Sequence, residues 1–296
     1  MDGKILLIRG GALGDFILTL PVLAALRRRF PERRMEILGY PSVASLAVAG
    51  GLADEVFALE SPRLAGLFGE GGTCPPETAA WLAGFEIIIS YAFDPKKVFQ
   101  SNVGRHSTAR FIAGPHRPDE TRPAHATEQL LEPLRAVGID DPDPRPRLIL
   151  PGTAGASGQL AAHPGSGSER KNWLEAHWQE LLQLLTVPVL LIGGEAEGGR
   201  CARLGAALPA GRAEVAQNLP LIDLAKRMRG CRAFIGHDSG ITHLAAALGL
   251  PGLALWGETV LTTWRPQSDR VKIVRARGGL TALSVAAVWE ELQTLL

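Results

Sequence analysis

The feature that most limits what this chain can fold into is an alternation that runs along its whole length. Short unbroken apolar runs are each followed by a turn and then by a stretch with apolar residues at helical spacing. Strands that read as continuous aliphatic runs are buried on both faces, and strands separated by helices are parallel strands joined by crossovers. Ile5–Ile8 is the first such run. A helix is expected over Phe16 to Arg29, with Leu20, Leu23 and Leu26 on one face and Arg27 to Arg29 at the end where cations suit the helix dipole. Strands near Met35–Leu38 and Glu86–Ser90 follow, and the Gly- and Pro-rich stretch from Gly66 to Pro76 is expected to be loop.

The pattern breaks once. Asp140 to Gly158 reads D-D-P-D-P-R-P-R-L-I-L-P-G-T-A-G-A-S-G, which helices and central strands tolerate poorly. The boundary is placed here, giving units 1–150 and 151–296, and 296 residues suit two domains of roughly 100–200 residues each. The alternation then restarts. Strands are expected at Leu160–Ala162, Val187–Ile192, Ala233–Ile235, Leu253–Leu255 and Val271–Val274. Helices are expected near Glu175–Leu185, Leu221–Arg229, Ile241–Leu248 and Ser284–Leu295. The expected fold is α/β: two similar, doubly wound, Rossmann-like domains facing an interdomain cleft.

Composition excludes several classes. A chain 46% apolar and 21% charged carries a real core. A formal net charge of +1 gives no reason to expect a nucleic-acid partner. Cys74, Cys201 and Cys231 are far apart and form no C-x-x-C pair, which fits free structural thiols in a reducing compartment. No secretory leader is read at the N-terminus, and no apolar run approaches the ~18 residues of a membrane span, so a cytoplasmic protein with at most peripheral membrane contact is expected.

Four segments after strands carry polar groups. Arg9 to Asp15 reads R-G-G-A-L-G-D. Gly10, Gly11 and Gly14 permit close backbone approach, and Asp15 sits where a helix N-cap is expected. The spacing is not the dinucleotide fingerprint, and the second strand ends in Gly39-Tyr40, not in an acid. His163 to Trp173 reads H-P-G-S-G-S-E-R-K-N-W, where Ser166, Gly167 and Lys171 suit a diphosphate and a plain turn suits the residues as well. Phe234 to Pro251 ends a strand and opens a helix that Asp238 or Ser239 is placed to cap, and the free amides of Gly240 and Ile241 favour a phosphate. His243 lies on the first turn, as a ligand contact or as a buried structural histidine. Leu255 to Pro266 holds Trp256 and Trp264, as base-pocket walls or as packing. Asp141-Pro142-Asp143 is the one D-x-D, and a solvated turn accounts for it.

Together these segments resemble glycosyltransferase family 9. The resemblance rests on Gly14-Asp15 with Thr19-Leu20-Pro21, on Pro164 to Gly167 with Lys171-Asn172-Trp173, on Asp238 to Ala247, and on Gly257 with Thr259. The family's usual G-P-T-D reads G-E-T-V here. The resemblance implies the two-domain GT-B arrangement and an inverting transfer of a heptose, or a related sugar, from an ADP-sugar to a lipopolysaccharide-core or other glycan acceptor. It implies Asp15 as general base, and donor contacts from Ser166, Gly167, Lys171, Gln217, Asn218, Asp238, Ser239, Gly240 and His243. It implies no metal and no cofactor. Its acceptors are anionic glycolipids, for which Arg63, Lys96, Lys97 and Arg105 are the candidate cations in the acceptor-binding first domain. A sugar-nucleotide epimerase or hydrolase on the same fold, and a nucleotide-sugar-binding protein without transfer, remain the alternatives.

Overall fold

The computed structural model describes residues 3–152 and 155–296, and of Arg170 the backbone alone. Met1, Asp2 and, within the expected linker, Thr153 and Ala154 lie outside the described residues. The chain divides into two compact units, Met1–Pro144 and Arg145–Leu296.

The first unit holds a five-stranded parallel sheet of β1 (Lys4–Arg9), β2 (Met35–Gly39), β3 (Glu55–Ala58), β4 (Phe85–Ser90) and β5 (Arg110–Ala113), ordered β3-β2-β1-β4-β5. Its helices are α1 (Leu13–Ile17), α2 (Leu20–Arg29), α3 (Pro41–Ala49), α4 (Pro76–Ala83), α5 (Val98–Val103) and α6 (Ala126–Leu131). Ile5, Leu6, Leu7 and Ile8 are all buried, as a central strand covered on both faces requires. Where one helix was expected over Phe16 to Arg29 there are two. Pro21 has no N–H to give to the Ile17 carbonyl and its ring would crowd it. The chain closes α1 with Leu18 N–H to Gly14 C=O at 3.0 Å and Thr19 N–H to Phe16 C=O at 2.9 Å, then restarts with Pro21 in the first turn of α2. Part of the expected 66–76 loop is helical, since a 3₁₀ segment runs through Pro62–Phe68.

The second unit holds a six-stranded parallel sheet of β6 (Leu160–His163), β7 (Val189–Gly193), β8 (Ala213–Gln217), β9 (Ala233–His237), β10 (Gly252–Leu255) and β11 (Val271–Val274), ordered β11-β10-β9-β6-β7-β8. Its helices are α7 (Glu175–Leu184), α8 (Arg200–Ala206), α9 (Leu221–Arg229), α10 (Gly240–Ala247), α11 (Leu261–Trp264) and α12 (Val285–Leu292). Trp173, Trp178, Leu181 and Leu182 pack with Leu160, Leu191, Ile235 and Val288 in its core.

In both sheets the strand order reverses beside the first strand. The switch points lie between β1 and β4 in the first unit and between β6 and β9 in the second. Ligands in open α/β sheets bind past the carboxyl ends of strands at such points. The Arg9 to Asp15 loop follows β1, the His163 to Trp173 loop follows β6, and Asp238–Ser239 follows β9.

Candidate functional site

In the first unit Asp15 is not the N-cap. Ala12 is the N-cap of α1, and Asp15 is the third helical residue, reaching back so that Oδ2 accepts the Ala12 N–H at 3.1 Å. Ala12 has no side chain that can cap, so the carboxylate supplies the cap from inside the helix. The side chain is 35% exposed, which leaves the carboxylate reachable. Gly11 has φ +102°, and a Cβ there would meet Asp15 Oδ2 at 2.9 Å, so this glycine makes room for the carboxylate. Gly10 lies against Leu59, and Gly14 sits inside α1.

Arg9 holds this loop and was not singled out from the sequence. It ends β1, is 3% exposed, and donates to the His116 carbonyl at 2.9 Å and the Asp15 carbonyl at 3.3 Å. Its guanidinium also lies 3.6 Å from Asp15 Oδ1 and over the Tyr91 ring. Burial lowers the Arg9 pKa, Asp15 and Tyr91 opposing it, and burial raises the Tyr91 phenol well above its ordinary value. Arg9 thus ties the loop after β1 to the loop after β5.

The four candidate acceptor cations do not gather at one place. Lys97 has φ 57°, is the N-cap of α5, and lines a pocket of about 340 Å³ past β4 and β5 with Phe93, Gln100 and His116. Arg63 lines a different and smaller pocket with Phe57 and Trp81. Lys96 pairs with Glu70 at 3.6 Å, and Arg105 donates to Asn102. Phe93, 69% exposed and set against the His116 ring at 4.6 Å, gave no sequence signal.

In the second unit the expected donor residues fall into three places. Lys171 Nζ lies 2.8 Å from Asp238 Oδ2, joining the loop after β6 to the loop after β9. Lys171 is 44% exposed and Asp238 9%. Lys171 and Ser168 also line an open groove of about 460 Å³ with Gly257, Glu258 and Thr259 on one side and Gly278 to Thr281 on the other. Ser239 is the N-cap of α10, and its hydroxyl makes no capping bond; it meets His163 Nδ1 at 3.3 Å and Thr242 Oγ1 at 3.5 Å. Gly240 and Ile241 open α10, where the first amides have no intrahelical acceptor. His243 is buried in the first turn. Gln217 and Asn218 lie apart, at the end of β8: Gln217 donates to the Gly194 carbonyl at 2.6 Å, and Asn218 takes φ 53°.

The loop after β6 uses part of its own polar set internally. Ser166 is buried, and its hydroxyl is used inside the loop, 2.9 Å from both the Ser168 carbonyl and Asn172 Oδ1. The open side of Gly165 is filled by Glu197: a Cβ would meet Oε1 at 2.2 Å and Cγ at 2.3 Å. Gly167 is exposed with nothing within 4 Å of its Cβ position.

His237, the last residue of β9, is the clamp of this loop. Its Nε2 accepts the Trp173 N–H at 2.9 Å and its Nδ1 donates to the Gly165 carbonyl at 3.1 Å. Nε2 accepting and Nδ1 donating is the neutral tautomer, and burial pushes the imidazole pKa down to about 3. Trp256 does not face the groove. It is buried, donates to the Thr259 carbonyl at 2.8 Å, and packs with Trp264 and Leu261. Asp141-Pro142-Asp143 lies in an irregular stretch, and among the described residues no group of three His, Cys, Asp or Glu is placed to hold a metal ion.

Residues 145–284 match the model of glycosyltransferase family 9 (heptosyltransferase). The chain is 40% identical over 93 residues to lipopolysaccharide heptosyltransferase 1 of Pseudomonas aeruginosa, a match covering 30% of this chain and 26% of that protein. It is 31% identical over 130 residues to lipopolysaccharide heptosyltransferase 1 of Escherichia coli K12, covering 42% of this chain and 40% of that protein. The matched stretches thus span between a quarter and two fifths of these relatives. Over nearly the full length, the fold superposes on the solved structure of the E. coli ADP-heptose LPS heptosyltransferase II with a TM-score of 0.79 at 17% identity, covering 99% of this chain and 98% of that one. The chain therefore has the two-domain GT-B fold of these solved structures, and its residues 145–284, just under half of its length, are similar to glycosyltransferase family 9.

Proposed function

We propose that this chain is an inverting glycosyltransferase that moves a heptose, or a related sugar, from an ADP-sugar to a lipopolysaccharide-core or similar anionic glycan acceptor. The observation that carries the reading is the cluster at the second switch point. Lys171, Asp238, Ser239 and the first amides of α10 stand together in the half that matches the family, beside a groove of about 460 Å³. A diphosphate there meets one ammonium, one hydroxyl and the positive end of a helix. Charge that builds on the leaving diphosphate is stabilised by groups already in place, which is where such sites derive most of their rate. Glu258 at the groove edge favours a partner with hydroxyls over one with more phosphate.

The second unit is the nucleotide-sugar unit in this reading, with Gly167, Gly240 and His243 near the phosphates and Gln217 and Asn218 towards the nucleoside. The first unit binds the acceptor, with Lys97 the best placed of the four cations because it lines a pocket past β4. Asp15 takes the proton of the attacking hydroxyl, a step worth ~10²–10⁴-fold for a positioned base. The chemistry needs neither metal nor cofactor. Among the described residues no helix is long and apolar enough to cross a membrane. A cytoplasmic enzyme that touches the inner face of the membrane through its lipid-linked acceptor fits the rest.

Calorimetric titration of the whole chain with ADP, UDP, GDP and ADP-heptose, in the presence of a chelator, tests this. Preference for the adenine compounds supports the reading. Preference for UDP or GDP moves the donor, and no binding removes the donor site.

A further inference from the structure

Phe93, in the loop after β4, leaves 69% of its surface to water. Single apolar residues on a surface are ordinary, but this one is held in place from two sides. Its ring lies 4.6 Å from the His116 ring, the planes tilted by 60°. His116 is fixed in turn, because Arg9 donates to its carbonyl at 2.9 Å. On the other side Asp94 anchors the loop. Its carboxylate accepts the Phe99 N–H at 3.2 Å and the Gln100 N–H at 2.9 Å, and its carbonyl accepts the Lys97 N–H at 3.0 Å. Pro95 adds a fixed φ. The phenyl ring is therefore a rigid apolar plate, and little freedom is lost when a ligand covers it.

The plate is one wall of the pocket of about 340 Å³ past β4 and β5. That pocket offers charge of one sign. The Asp94 carboxylate is spent on the first amides of α5. Lys96 pairs with Glu70, whereas Lys97 is exposed and enters no salt bridge among the described residues. Lys97 also takes φ 57°, a backbone conformation that residues other than glycine seldom adopt and that is kept here beside a pocket. Ser90 and Gln100 add a hydroxyl and an amide to the same lining. One apolar plate, one ammonium and two neutral hydrogen-bonding groups suit a ligand with an apolar face, a rim of hydroxyls and one acid group.

We propose that Phe93, seated on His116, is a specificity-determining residue of the acceptor site, stacking against the C–H face of a sugar ring whose acid group, a carboxylate or a phosphate, meets Lys97. This rests on the reading above that the first unit binds the acceptor. A pyranose presents C–H groups on a face and hydroxyls at its edge. The C–H groups lie on the negative face of the phenyl ring, while the hydroxyls reach Ser90 and Gln100. Covering the phenyl removes from water an apolar surface that the free protein leaves exposed. The plate is also tied to Asp15. The Arg9 guanidinium donates to the His116 carbonyl and lies 3.6 Å from Asp15 Oδ1, so one side chain spans the support of the plate and the carboxylate that takes the acceptor's proton. A sugar with a bulky group on its C–H face is held off the plate.

The experiment is saturation-transfer NMR titration of the full chain with glucuronate, glucose 6-phosphate and methyl glucoside, repeated with Phe93→Ala, Phe93→Tyr and Lys97→Met. In the unaltered chain the ring C–H protons of both acids receive saturation, and both acids bind more tightly than methyl glucoside. Phe93→Ala weakens both roughly tenfold, the loss of one aromatic face, and Phe93→Tyr, which keeps the ring, restores them. Lys97→Met removes the preference for acids. Absence of saturation on both acids, equal binding by Phe93→Ala and the unaltered chain, or equal binding of the acids and methyl glucoside overturns the proposal. Calorimetry with ADP on the same samples separates this from the transferase reading. ADP binding that persists leaves the donor site standing whatever the sugars do. Sugar-acid binding in a chain that binds no nucleoside diphosphate leaves the plate and removes the donor site.

Discussion

Two glycines two residues apart in the β6 loop predict opposite outcomes for the same substitution. In Gly165→Ala the new methyl would lie 2.2 Å from Glu197 Oε1 and 2.6 Å from Cδ, far inside contact distance. Glu197 cannot simply swing aside, because Oε2 is held by the Gly194 amide at 2.6 Å and Oε1 faces His163. Overpacking a tight site costs about 1–3 kcal/mol. Displacing the carboxylate leaves a buried amide unpaired for about 1–3 kcal/mol more. A loss of about 3 kcal/mol is therefore expected from the second unit. At about 2–4 °C per kcal/mol for a domain of this size, its melting temperature falls by about 6–12 °C. In Gly167→Ala nothing lies within 4 Å of the new methyl, and the change stays within about 0.5 kcal/mol. Tryptophan fluorescence during thermal or urea unfolding suits the comparison, since Trp173, Trp178, Trp256, Trp264 and Trp289 all lie in the second unit and only Trp81 in the first. Equal melting of the two variants would refute the reasoning that Glu197 is what requires a glycine at 165.

Asp15→Asn keeps an oxygen for the Ala12 amide, so α1 and donor binding persist while sugar transfer falls by ~10²–10⁴-fold; a transfer assay set beside calorimetry separates the two, and surviving transfer would leave Asp15 as a cap alone. Lys171→Met weakens ADP binding by roughly ten- to a hundredfold and leaves adenosine binding unchanged, with Asp238→Asn in the same background restoring part of it by removing the orphaned charge. His237 gives a pH dependence. Its ring titrates at about 3 when folded against 6.5 for the free side chain, so the unfolded chain binds more protons between those values. Stability present above about pH 6.5 is lost as pH falls towards 3, with a slope of at most ~1.4 kcal/mol per pH unit from this residue, and His237→Gln flattens that slope in urea unfolding series taken from pH 7 to pH 4.

The parallel α/β class was legible because central strands buried on both faces must be apolar throughout, as Ile5–Ile8 and Val189–Gly193 are. The strands that went unread, β3, β5 and β8, are all sheet edges. An edge strand is covered less and carries charge, here Glu55, Arg110 and Glu214, so its pattern does not separate from loop. The break at Leu18–Thr19 was readable from Pro21, since a proline cannot sit inside a single helix without releasing the carbonyl four residues before it. In the site, Lys171, Asp238 and Ser239 could be named because they lie beside turns between apolar runs. Their pairing could not, since it joins positions 67 residues apart. Arg9, His163, Glu197 and His237 were missed for a common reason. Each is a polar group at or just after the end of a strand, and a linear sequence does not tell whether such a group turns outward to water or inward to a partner.

The parallel register of both sheets carries a consequence for how the chain is made. The nearest strand neighbours in sequence, β9 and β10, pair Phe234 with Gly252, and β1 waits for β4 from Lys4 to Phe85. No hairpin is available to nucleate either sheet, so every ladder closes a long loop before it gains a hydrogen bond, and folding is slow for the size of each unit. On a ribosome the first unit has all its strands once Ala113 has emerged, well before β6 begins at Leu160. Synthesis from the N-terminus therefore keeps the apolar strands of the two sheets apart in time, whereas dilution from denaturant exposes them together, and two sheets of the same parallel kind then compete for each other's edges.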